Sequence, residues 1–170
     1  GSPSTNAVIS GNTSYGNLGS GIMFINSLGG RITNNNLHGN CAGIVVSGFL
    51  GEYGVAGGDV SVRHNRVTAN NRWCPADGSG APDYGGIGIA LVGAQNTTVE
   101  RNDVRGNRAR AGSAIPGGGI VIATLAENLP VNPASNPPTG SSVRSNRLSG
   151  NAPYDIYGDG TGSDNTVSGN

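Results

Sequence analysis

The 170-residue chain has no lysine: its ten cations are all arginine, and ten acidic residues bring the formal net charge to zero. Proteins that hold nucleic acid or an anionic membrane through their overall field need net positive charge, so the composition argues against both partner classes. No apolar run approaches the roughly 18 residues of a membrane span. Charged residues make up only 12% of the chain, whereas disordered chains are usually charge-rich. Aromatics are scarcer still, with one Trp, five Tyr and two Phe, so the few present stand out as candidate binding groups. Glycine (31) and asparagine (21) are abundant. The length suits a single domain over residues 1–170. Gly1-Ser2 reads as a cloning scar, and both ends fall inside an internal repeat, so the expectation is a piece of a longer chain.

Four segments share one template: Ile32 to Asn40, Val62 to Asn70, Val99 to Asn107 and Val143 to Asn151. Each reads aliphatic, two residues, Asn, one residue, aliphatic, two residues, Asn. Ile9-Ser-Gly-Asn12 is a degenerate opening copy, and Asn165-Thr-Val167-Ser-Gly-Asn170 a truncated closing one. A Gly-Ile-x-aliphatic element follows the copies: Gly21-Ile22-Met23-Phe24, Gly43-Ile44-Val45-Val46, Gly86-Ile87-Gly88-Ile89 and Gly119-Ile120-Val121-Ile122, with Asp155-Ile156-Tyr157 as a weaker last version. Short period-two strands that meet at bends and repeat in register predict an all-β solenoid whose coils stack about 4.8 Å apart. An antiparallel sandwich with tight hairpins competes, but hairpins would not keep the Ile and Asn register across insertions of different length. Coil stacking sets the Asn amides of successive bends beside one another, so Asn35, Asn65, Asn102 and Asn146 are predicted to form a ladder.

At these residues the chain resembles the right-handed parallel β-helices of the pectin-lyase-like superfamily, and the likeness runs from residue 7 to 170. It implies a right-handed parallel β-helix of about five to six coils with long loop insertions. It implies function only broadly, because that superfamily holds polysaccharide lyases, glycoside hydrolases, uronan epimerases, phage tailspikes and non-catalytic modules.

Cys41 directly follows Asn40, and Cys74 falls four residues after the equivalent Asn70. Both leave the same corner on adjacent coils, at a separation suited to a disulfide. An intrachain bond implies an oxidising compartment, hence a secreted, extracellular protein. Two charged lanes follow from the same alignment, Arg63-Glu100-Arg144 and Arg66-Asp103-Arg147, and are read as ion pairs between coils. His38 and His64 fall in different lanes and do not make a zinc site.

Insertions 13–20, 71–84 and 108–118 leave one side of the Ile-x-aliphatic strands, and insertions 48–58 and 124–140 leave the other. They are expected to wall a trough with Met23, Val45, Gly88, Val121 and Tyr157 as its floor. Within it, Trp73, Tyr84, Tyr53 and Asp77 are candidate sugar-binding groups, with Arg108 and Arg110 neutralising a uronate carboxylate. Asp83 facing Glu52 or Glu127 is the candidate catalytic pair; glycosidases hold such carboxyls about 5–5.5 Å or 6.5–9.5 Å apart. No metal site is required. Asp155, Asp159 and Asp164 are a weak Ca²⁺ candidate, and Asp-Gly turn formation already explains Asp159. The expected partner is a polysaccharide or oligosaccharide. The alternative is a non-catalytic structural or adhesion module that self-associates through its coil ends or its apolar lane.

Overall fold

The computed structural model describes residues 4–49, 57–76, 83–113, 115–124 and 135–170. The first coil runs through β1 (Thr5–Ser10), β2 (Thr13–Tyr15) and β3 (Ser20–Ile25), and the second through β4 (Leu28–Thr33), β5 (Asn36–His38) and β6 (Ala42–Ser47). The third contains β7 (Gly58–Arg63), β8 (Arg66–Thr68), a small hairpin of β9 (Trp73–Cys74) and β10 (Tyr84–Gly85), then β11 (Ile87–Val92). Coil four comprises β12 (Thr98–Glu100), β13 (Asp103–Arg105) and β14 (Gly118–Ala123). Coil five comprises β15 (Ser142–Arg144), β16 (Arg147–Ser149) and β17 (Tyr154–Gly158), and β18 (Thr166–Ser168) opens a sixth.

Strands pair in parallel with their counterparts one coil on, giving three sheets. Sheet A is β1-β4-β7-β12-β15-β18, sheet B is β2-β5-β8-β13-β16, and sheet C is β3-β6-β11-β14-β17. This is the parallel β-helix that the repeat predicted. Ile32, Leu37, Ile44, Val62, Val67, Val99, Val104, Ile120 and Val143 are fully buried and form one continuous interior stack. Leu148, expected in the core, is only partly buried against it.

Asparagine sets the corners. Asn12, Asn35, Asn65, Asn102, Asn146 and Asn170 form one ladder, in which each backbone N–H and side-chain Nδ2 donates to the Oδ1 of the next coil's Asn at 2.9–3.1 Å. The same Nδ2 reaches back to a carbonyl of the preceding coil, as Asn102 does to Val62 at 3.0 Å. A second ladder of Asn17, Asn40, Asn70, Asn107 and Asn151 obeys the same rule between sheets B and C. Buried backbone groups at bends need partners, and the amides supply them at every level. The copies at the two chain ends shift accordingly. Asn12 and Asn170 belong to the first ladder and not to the second, because Ile9 pairs with Ile32 and Val167 with Val143. Residues 13–15 are therefore strand β2 and not part of an insertion.

Sheet C departs from simple alternation. Gly43 and Ile44 both face inward: a Cβ on Gly43 would lie 2.3 Å from a Val67 methyl, and Ile44 is in the core. The same kink recurs at Gly88, where a Cβ would lie 2.6 Å from Val104 and 2.9 Å from the Asn107 amide. Ile89 pairs with Ile44 and Leu91 with Val46, so the third-coil strand sits two residues later than the repeat pattern places it. Gly88 points into the core, and Ala90 takes the outward position that the pattern assigns to Gly88. Ile87 is buried as expected, but on the outer face of sheet C with Ala42, Ala90 and Val121. Two Gly-Ile steps in tandem, 86–87 and 88–89, make both registers fit the pattern.

Candidate functional site

The second corner is where the helix opens out. After Asn70 the chain leaves the coil, and Cys74 on β9 bonds to Cys41 of the coil before, with Cα atoms 5.8 Å apart. The expected disulfide is present. It anchors the hairpin in which Tyr84 pairs with Cys74 and Gly85 with Trp73, holding Trp73 half-buried beside sheet C. After Asn107 the chain leaves again, and Arg110 returns to place its guanidinium over the Trp73 ring, 5.2 Å from the centroid. A cation over an indole face is an electrostatic attraction, and here it joins the extensions of two neighbouring coils.

Beyond Arg110 lies an open groove of about 370 Å³, lined by Arg110, Gly112, Ser113, Pro116 and, from the next coil, Ala152 and Pro153. Tyr154 is the next residue along, 48% exposed, and its ring meets that of Tyr157 at 5.3 Å. Tyr154 did not emerge from the sequence. Residues i and i+3 of a strand normally face opposite ways, and only the sheet C kink, which falls at Asp155 in this coil, turns both rings outward.

The floor of the expected trough is covered at its centre. Met23 is 52% exposed, but Ala90 and Val121 are buried, with Tyr84 and Ile115 packed against that apolar layer. The deep central point expected at Gly88 does not exist. The accessible surface lies along the side of sheet C, past Trp73 and Arg110 to the Tyr pair.

Of the remaining expected groups, those within the described residues fall at separate places. Asp83 sits half-buried at the end of the hairpin. Glu52, Glu127, Tyr53 and Asp77 lie outside the described residues, so the carboxylate pair has no measured separation. Arg108 is exposed. Its Nε donates to the Gly150 carbonyl at 3.2 Å, and its backbone N–H donates to Asn71 Oδ1 at 2.6 Å, which ties coils together. Asp155, Asp159 and Asp164 do not converge; among the described residues no cluster of three or more metal-ligating side chains occurs. Asp155 accepts from the Asn151 amide at 2.8 Å, and Asp159 from the backbone N–H groups of Thr124 and Thr161 at 2.6 and 2.8 Å. His38 stacks on Tyr15, with centroids 5.3 Å apart.

The charged lanes separate into two kinds. Glu100, 8% exposed, receives Arg63 at 3.3 Å and Arg144 at 2.7 Å, as the coil register predicts. The hydrogen bond from Arg144 holds its carboxyl below the usual value of 4.5; desolvation opposes this, and the fields of Arg63, Arg144 and Arg101 reinforce it. Asp103 pairs instead with Arg105 of its own strand, not with Arg66 or Arg147. The i,i+2 partner projects from the same face of β13 and is closer at hand than the neighbours across the coil.

A family model described as "Right handed beta helix region" matches residues 1–135. The chain belongs to the right-handed β-helix family. Among solved structures, this β-helix is similar to the A-module of the mannuronan C-5 epimerase AlgE4 of Azotobacter vinelandii, at 16% identity and a TM-score of 0.53 over 97% of this chain and 54% of that one. The AlgE6 A-module of the same organism matches at 16% identity and a TM-score of 0.50, over 98% of this chain and 50% of that one. The chain therefore spans about half the length of these structures, and at this identity the likeness establishes the fold alone. No curated protein matches it in sequence.

Proposed function

We propose that this β-helix domain is extracellular and binds polysaccharide along the side of sheet C, with Trp73, Tyr154 and Tyr157 as stacking surfaces and Arg110 as a polar anchor between them. The observation that carries the reading is the Trp73–Arg110 pair at the edge of an open groove that leads to the Tyr154–Tyr157 pair. Sugar sites combine apolar ring faces with a few fixed polar groups on a rigid scaffold, and this arrangement has both. Two similar structures are polysaccharide-acting epimerase modules, which supports a carbohydrate ligand. The disulfide supports an oxidising compartment, and among the described residues no helix is long and apolar enough to cross a membrane.

Lyase, hydrolase or epimerase chemistry on the bound glycan is the finer part of the proposal, with Asp83 facing Glu52 or Glu127 as its acid–base groups and Arg108 assisting Arg110. A panel of uronans and neutral glycans tests it, read by direct binding, absorbance of unsaturated products, reducing-sugar release and solvent-hydrogen exchange into the sugar. Binding with turnover in one of these channels supports an enzyme, and binding alone supports a recognition module. No binding to any glycan would refute the reading. One observation favours a second reading: Leu18, Met23 and Ile25 of the first coil are 75%, 52% and 39% exposed, an apolar patch suited to a self-associating structural module. Sedimentation analysis that finds a dimer disrupted by Met23→Ser would support it.

A further inference from the structure

Neutral overall charge conceals a segregated surface. The first Asn corner, where sheet A passes into sheet B, carries Arg63, Arg66, Arg101, Arg105, Arg144 and Arg147 on the third to fifth coils, against only Glu100 and Asp103. Register puts Arg66, Asp103 and Arg147 side by side on successive strands of sheet B, and Arg63, Glu100 and Arg144 likewise on sheet A. Two guanidiniums share the single Glu100 carboxylate, and Asp103 is taken by Arg105. Among the described residues Arg66, Arg101 and Arg147 are exposed and make no ion pair. Arg101 stands at the corner itself, held by a left-handed backbone (φ 54°) between the two lanes.

We infer that this corner is a second binding surface, for a carboxylated polysaccharide lying along the helix axis. Adjacent coils repeat at about 4.8 Å, so Arg66 and Arg147 stand roughly 10 Å apart, a spacing a flexible polyanion can span. The guanidinium fork matches a carboxylate in two-point geometry. A single exposed contact of this kind is weak, whereas a polymer that engages several in succession gains from their linkage. Nucleic acid fits less well. The exposed His64 imidazole stands at the corner on the third coil, in the position of Arg101, but the Arg66–Arg147 stretch of sheet B presents Thr68 and Ser149 hydroxyls and no Trp, Tyr or Phe ring on which a base would stack, and the whole chain has a pI near 6.9. This surface is separate from the Trp73 side of sheet C, so loss of one does not entail loss of the other.

The test is titration of the intact chain with soluble polygalacturonate at low and high salt, with duplex DNA, anionic phospholipid vesicles and a neutral glycan as comparisons. Arg66→Gln/Arg147→Gln should weaken polygalacturonate binding about tenfold or more without changing the melting temperature, and Trp73→Ala should leave that salt-sensitive component in place. That component should vanish near 1 M salt, where the screening length is about 3 Å. Polygalacturonate affinity unchanged in the double Arg variant, or abolished by Trp73→Ala alone, would overturn the inference. Tighter binding to DNA or vesicles than to polygalacturonate would overturn it as well.

Discussion

The two Asn corners use the same ladder chemistry and treat the chain between strands very differently. At the first, all five coils pass from sheet A to sheet B across two residues. At the second, the connection from sheet B to sheet C ranges from three residues in the second coil to 18, hairpin included, in the third. Amides fix the register at both corners, so the connection at the second is free to vary in length. Coil registry and loop length are thereby uncoupled, and that lets a rigid repeat carry loops of variable length at this corner. The first corner stays closed and presents a fixed lattice of charge.

The disulfide anchors the longest extension at the second corner, and its removal should have the largest effect. A bond across 33 residues contributes about 3–4 kcal/mol in the loop-entropy account. Cys74→Ser should lower denaturant stability by up to that amount and expose the hairpin to proteolysis first. An equal rise in cleavage at the first corner would show that the two corners are not independent.

Asn102 and Asn107 occupy corresponding rungs of the two ladders. Each donates twice to the next Asn and once to the preceding coil, with an extra Asn102 bond to Glu100. Replacing either by Ala orphans buried partners, at a cost of about 3 kcal/mol. Urea unfolding should give values within about 1 kcal/mol of each other. A much smaller loss for Asn107→Ala would mean that the second ladder yields to the loops and does not hold them.

Ala69 sharpens the comparison further. The residue before each second-ladder Asn is left-handed, and Ala69 (φ 51°) stands where the other coils have Gly16, Gly39, Gly106 and Gly150. Left-handed backbone costs a residue with a Cβ about 1–2 kcal/mol, part of which is offset by glycine's unfolded-state entropy. Ala69→Gly should raise stability by about 0.5–1 kcal/mol, measured by thermal melts.

The smallest effect is at the charged corner. Glu100 is held below its usual 4.5, so the stability it contributes is complete above that value and lost as pH falls through the lower, folded value. Glu100→Gln should flatten the acid limb of the stability–pH curve below about pH 4.5 and leave neutral pH behaviour to the two Arg that then face each other. An acid limb identical to that of the wild type would show that Glu100 contributes nothing to acid stability.

Sequence spacing reveals whatever the repeat constrains. The interior stack, the ladder of Asn35, Asn65, Asn102 and Asn146, and the Cys41–Cys74 bond all depend on which residues share a rung, and spacing encodes that. The failures fall where the rung is ambiguous or where side chains choose locally. Gly86-Ile87-Gly88-Ile89 fits two registers, and only contact with Val104 and Asn107 selects the later one. Asp103 takes Arg105 from its own strand, a choice set by reach and not by period. Burial of Ala90 and Val121 depends on how insertions fold back, and the exposure of Tyr154 depends on a kink; neither leaves a periodic trace.

The central claim, that the side of sheet C bearing Trp73 and Arg110 binds glycan, is tested most directly by one titration. The glycan that the wild type binds best near 1 M salt, where any contribution of the Arg corner is screened, is titrated into Trp73→Ala under that condition, with the melting temperature of both proteins recorded. The account predicts that binding is abolished while the melting temperature stays nearly the same. Binding equal to that of the wild type would contradict the site, and a large fall in melting temperature would assign Trp73 to the structure of the hairpin.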